Sequence, residues 1–104
     1  MVGGKQYDLE MHIVHKYKDS DPAEFGAVLG VFFDVESGGN EENPFIASLN
    51  FDGAVPKSDA VKGTPIENVD LASFLSSIDM TNYWSYPGSL TTPPCSEGIK
   101  WSVL

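Results

Sequence analysis

Basic side chains are scarce in this sequence: six lysines and arginines stand against fifteen aspartates and glutamates, for a formal net charge of -9. Phosphate backbones are gripped by clustered cations, so nucleic acid is excluded as a partner. The carboxylates are themselves scattered, as in Glu36, Glu41, Glu42, Asp52, Asp59 and Glu67, and read as a solvated surface. No apolar run approaches the roughly 20 residues of a membrane span. Met1 leads into Val2-Gly3-Gly4-Lys5 without the apolar stretch of a signal peptide. A single cysteine, Cys95, excludes an internal disulfide. With two histidines and neither a C-x-x-C nor an H-x-H pair, the chain lacks a complete metal site. It also lacks a G-x-S-x-G elbow, Gly88-Ser89-Leu90 having the wrong flanks, and Ser37-Gly38-Gly39-Asn40 lacks the lysine of a phosphate loop.

What is present is globular composition, 41% hydrophobic and 12% aromatic. A chain of 104 residues is the size of one small domain and buries a modest share of its surface. Residues 7 to 17 alternate in strand fashion, with Tyr7, Leu9, Met11, Ile13 and His15 on one side and Asp8, Glu10, His12 and Val14 on the other. Residues 26 to 35 are apolar on both faces and predict a central, doubly buried strand, ended by Glu36-Ser37-Gly38-Gly39-Asn40. A turn is expected at Asp19-Ser20-Asp21-Pro22. Asn43-Pro44 offers a helix cap followed by proline at the first helical position. Glycine and proline breakers fill residues 52 to 65, and Val69 to Leu75 fits helix or strand. The tail predicts a strand over Tyr83-Trp84-Ser85-Tyr86, a turn at Pro87-Gly88, a loop at Thr91-Thr92-Pro93-Pro94 and a last strand over Ile99 to Leu104.

A metal-binding histidine commonly donates its other ring nitrogen to a carboxylate. Glu10 lies two residues before His12 on the same strand face and is placed to do that. The residues alone leave open a plain alternative, a buried histidine satisfied by its neighbours. His15 lies three positions on and faces the other way, so the two histidines do not chelate one ion.

Two stretches, Gly4-Lys5-Gln6-Tyr7-Asp8-Leu9-Glu10-Met11-His12-Ile13-Val14-His15 and Tyr83-Trp84-Ser85-Tyr86-Pro87-Gly88-Ser89-Leu90-Thr91-Thr92-Pro93-Pro94-Cys95, closely resemble signatures of the α-class carbonic anhydrases. Between them Ala27 to Phe32 is similar to the family's central strand, and Trp101 to Leu104 to the strand after the TTPP loop. The resemblance implies a mainly β fold: a central, twisted, largely antiparallel sheet with short peripheral helices. Residues 1–104 would be the C-terminal part of one such domain, with the N-terminal half and the extreme C-terminus absent. It implies Zn²⁺ as cofactor and reversible hydration of carbon dioxide to bicarbonate and a proton.

By position, His12 matches the third zinc ligand and Glu10 the carboxylate behind it. Thr91 matches the threonine that accepts a hydrogen bond from zinc-bound hydroxide and aims it at carbon dioxide, with Thr92 beside it. Val14, Val28, Leu90 and Trp101 match the apolar substrate wall. The family's other two zinc histidines have no counterpart here, so the chain alone is expected to be inactive and the missing half is its expected partner. Cys95 resembles a position that pairs with an N-terminal cysteine in secreted members, which implies an extracytoplasmic parent protein. The competing reading is a non-catalytic relative acting as a binding or assembly module.

Overall fold

The computed structural model describes residues 2–19, 24–38, 41–51 and 65–104. Expectations at residues 20–22, 39–40 and 52–64, including the Asp19 to Pro22 turn and most of the glycine and proline breakers, fall outside these. The described elements are, in order, strand β1 (Leu9–Lys16), strand β2 (Phe25–Phe33), helix α1 (Val35–Gly38), helix α2 (Pro44–Ser48), helix α3 (Leu71–Ser76), strand β3 (Trp84–Ser89) and strand β4 (Glu97–Val103). No helix among the described residues is long and apolar enough to cross a membrane. The chain divides into two compact units, one of residues 1–37 and 79–104, the other of residues 38–78.

The first unit is a four-stranded sheet in the order β1-β2-β4-β3. Both outer pairs are antiparallel, and the central β2-β4 pair is parallel. The largely antiparallel, mainly β architecture is therefore the one the resemblance implied. Register decides which side chains share a face, because opposed residues point the same way. Glu10, His12 and Val14 lie opposite Phe32, Gly30 and Val28. Val28 and Gly30 lie opposite Trp101 and Val103, and Trp101 lies opposite Tyr86. This face carries the core, a cluster of Val28, Ile99, Trp101 and Val103 with Phe25, Phe32 and Leu90 packed against it. Both β2 and β4 are interior strands, which is why they supply the buried Val28, Val31, Ile99, Trp101 and Val103 while the edge strands β1 and β3 supply no fully buried residue.

Two expectations are corrected. Pro87-Gly88 is not a turn: β3 runs through it to Ser89. Proline is tolerated there because β3 is an edge strand, where one missing N–H costs the ladder little. Gly88 serves packing instead, since a Cβ at that position would stand 3.1 Å from Trp101 Cδ1. The predicted break after Val35 begins as a single helical turn, α1. Asp34 nucleates it by accepting the Glu36 N–H and the Ser37 hydroxyl, both at 2.9 Å.

Asp34 is also clasped by Lys5, whose ammonium hydrogen-bonds it, reaches Glu36 at 3.4 Å and lies 5.3 Å from the Tyr7 ring centroid. The Lys5 hydrogen bond, then the Glu36 N–H and the Ser37 hydroxyl, hold the Asp34 carboxyl below its ordinary 3.8. Lys5 is raised above 10.5, chiefly by Asp34. A lowered carboxyl stabilises the fold above its unfolded value, and that contribution is lost as pH falls through the folded value. A raised amine stabilises below its unfolded value and loses this as pH rises past the folded one. The clasp is thus intact between about pH 4 and pH 10. Asp34→Asn should lower the urea midpoint more at pH 7 than at pH 3, with a smaller gap in high salt. An equal loss at both pH values would show that the charge is not what matters.

The second unit contains α2 and α3. Asn43 caps α2 by accepting the Phe45 and Ile46 N–H groups at 3.0 and 3.2 Å, and Pro44 takes the first turn, as the sequence predicts. Asp70 caps α3 through the Ser73 N–H at 2.9 Å, which settles the ambiguous segment as helix. Phe45 and Phe74 stack with centroids 4.0 Å apart, joining the two helices.

Candidate functional site

β1 projects Glu10 and His12 from adjacent same-face positions, and their side chains meet: His12 Nε2 lies 2.8 Å from Glu10 Oε1. A carboxylate oxygen only accepts, so Nε2 carries the proton and donates. In the neutral ring the lone pair then sits on Nδ1, the nitrogen left free to hold a metal ion. The His12 side chain is 30% exposed. His15 lies one register position from the same face, opposite Ala27, and is exposed.

A second contact comes from far along the chain. The Trp101 indole meets the His12 imidazole edge to face, centroids 4.8 Å apart and planes at 80°. Trp101 is buried, donates Nε1–H to the Ser89 carbonyl at 3.0 Å and stacks nearly parallel on Tyr86, centroids 6.2 Å apart. Gly30 stands directly opposite His12, and a Cβ there would lie 3.5 Å from Val103 Cγ2, 3.7 Å from Glu10 Oε1 and 3.8 Å from Trp101 Cζ3, all ordinary contact distances. Sequence reasoning gave no role to Gly30, Ser89 or Tyr86. No local signal marks Ser89 and Tyr86, which meet Trp101 only through the pairing of β3 with β4.

The remaining candidate residues separate into two groups. Val28 and Trp101 are core residues with Leu90 packed against them. Val14 stands opposite Val28 but is 48% exposed. Thr91 and Thr92 are exposed on the loop after β3. That loop is closed by Leu90 N–H to the Ser96 carbonyl at 3.0 Å and by Cys95 N–H to the Thr92 carbonyl at 2.8 Å. Among the described residues no hydrogen bond joins Thr91 to Glu10 or His12. Glu10 lines an open cavity of about 360 Å³ with Phe32, Trp84, Tyr86 and Val103. Cys95 is exposed.

Three or more His, Cys, Asp or Glu side chains nowhere gather into a metal cage among the described residues. What the geometry fits is one nitrogen ligand with its orienting carboxylate. Further ligands of a zinc site would have to come from another segment.

The family model for eukaryotic-type carbonic anhydrase matches residues 1–104. A carbonic anhydrase of Nostoc sp. is 36% identical over 103 residues, spanning 99% of this chain and 35% of that protein. One from Klebsiella pneumoniae is 38% identical over 103 residues, spanning 99% and 37%. Among solved structures, the Photobacterium profundum α-carbonic anhydrase superposes with a TM-score of 0.73 at 35% identity, covering 97% of this chain and 41% of that one. The Thermovibrio ammonificans α-carbonic anhydrase, solved with the inhibitor sulfanilamide, gives 0.73 at 37% identity, covering 97% and 39%. The chain thus spans well under half the length of these relatives. Signature stretches, sheet and family match agree along its whole length, and the chain belongs to the eukaryotic-type carbonic anhydrase family.

Proposed function

We propose that these residues form the C-terminal part of a carbonic anhydrase domain and contribute His12 as one zinc ligand for the reversible hydration of carbon dioxide to bicarbonate and a proton. The observation that carries this is the His12–Glu10 pair, which leaves Nδ1 free on a half-exposed ring. When bound, zinc lowers the pKa of a coordinated water to about 7, a general property of carbonic anhydrases. Glu10 keeps the proton on Nε2 and the ring in one orientation. Carbon dioxide is apolar, so a wall of Val14, Val28, Leu90 and Trp101 would hold it by dispersion contacts. Thr91, flanked by Thr92, would accept a hydrogen bond from the attacking hydroxide and so direct its oxygen.

With one ligand, zinc affinity is expected to be poor, because a preorganised set is needed. The 104-residue chain should show no appreciable hydration in stopped-flow assays with added zinc. Supplying an N-terminal half containing the other ligands, fused or as a separate chain, should restore chelator-sensitive activity. Hydration by the 104 residues alone near the rate of a full-length relative would overturn the division of the site. Pairing with the N-terminal half but no zinc or hydration would instead favour a non-catalytic assembly role.

A further inference from the structure

We infer that Trp101 is a positioning residue for His12, fixing the plane of the imidazole as Glu10 fixes its proton, a role separate from any apolar wall. Its consequence for metal binding rests on the zinc reading above, whereas its effect on the ring does not. One hydrogen bond is not enough to hold this ring. The second side-chain torsion of histidine is broad and roughly two-fold, and the His12 side chain is 30% exposed. Rotated out of its present plane about that torsion, the ring would carry Nε2 away from Glu10 and exchange this hydrogen bond for water. The indole opposes that rotation by meeting the imidazole at 4.8 Å and 80° on the same sheet face, reaching across β2 from β4. Edge-to-face pairs of this kind have a preferred geometry, so the contact selects an orientation rather than merely filling space.

Trp101 is suited to this because it is itself immobile. It is 5% exposed. Its Nε1–H is spent on the Ser89 carbonyl, and Tyr86 stacks within 4° of its plane. Gly88 admits the indole, a Cβ there approaching Cδ1 to 3.1 Å. The imidazole is therefore held at two points from two strands, Glu10 on β1 and Trp101 on β4.

The test reads the ring directly in the metal-free 104-residue chain. Nuclear Overhauser contacts between the His12 and Trp101 ring protons should be present, and the ring nitrogen shifts should report a single Nε2–H tautomer when the ring is neutral. Trp101→Leu should give a mixture of tautomers, and Trp101→Phe should restore most of the single form. In the completed domain Trp101→Leu should weaken zinc binding about tenfold. An unchanged tautomer in Trp101→Leu would overturn the inference even if hydration proceeds. If Trp101→Leu fails to fold, the unaltered chain decides, since absence of the ring-to-ring contacts would overturn it alone. Conversely, a completed domain that binds no zinc while these ring signals persist would overturn the proposed function and leave this inference standing.

Discussion

Completed with its N-terminal half, the domain should lose zinc affinity by more than about a hundredfold on His12→Ala. The estimate follows from the smaller losses, about 10- to 100-fold, that accompany removal of a group merely orienting a metal-bound histidine. Glu10→Ala should fall in that smaller range, because it frees the ring without removing the ligand nitrogen. Thr91→Ala should behave differently again, leaving zinc in place and slowing hydration on the order of a hundredfold, as loss of one oriented hydrogen-bonding group does at a reacting oxygen. Competition with a chelator gives the affinities and stopped-flow hydration gives the rates. Equal metal loss in His12→Ala and Thr91→Ala, or full activity in His12→Ala, would sink the assignments.

Ile99→Ala should be the most damaging small substitution for stability. Ile99 is 2% exposed at the centre of the core cluster. Truncating a buried isoleucine to alanine costs about 2–5 kcal/mol, and each kcal/mol moves the melting temperature of a domain this size by roughly 4–8 °C. A drop of more than about 10 °C is expected by circular dichroism. Val14→Ala, at a position 48% exposed on the same face, should move it only slightly. Comparable losses from both would mean that the core does not lie where the register puts it.

The strands were legible wherever a local pattern is enough. The alternation from Tyr7 to His15 placed Glu10 and His12 together, and β1 keeps that arrangement through its pairing with β2. Asn43-Pro44 announced α2 because capping chemistry is written in adjacent residues. The segment around Leu71 is ambiguous in sequence because a short apolar run fits either period, and what decides it is Asp70, which caps the helix through the Ser73 N–H. Pro87-Gly88 misled because its residue types are those of a turn, while sheet position, unseen in sequence, makes it an edge strand. The same reason hid the way Trp101 meets His12. The contact of Trp101 with His12 depends on β4 lying parallel to β2, a pairing between remote segments with no sequence mark of its own.

That parallel pairing also sets an entropic condition on where polar function can sit. β1 reaches β2 through residues 17–24, whereas β2 reaches β4 only across residues 34–96. A connection about eight times longer is three doublings, costing roughly 2 kcal/mol more in closure entropy. Apolar burial must offset it, at about 1.5–3 kcal/mol for each fully buried large side chain. β4 contributes Ile99, Trp101 and Val103, half of the six buried hydrophobic residues described. β1, closed cheaply by its short connection, contributes none of them. The strand with the smaller entropic debt is the one free to spend its inward positions on Glu10 and His12.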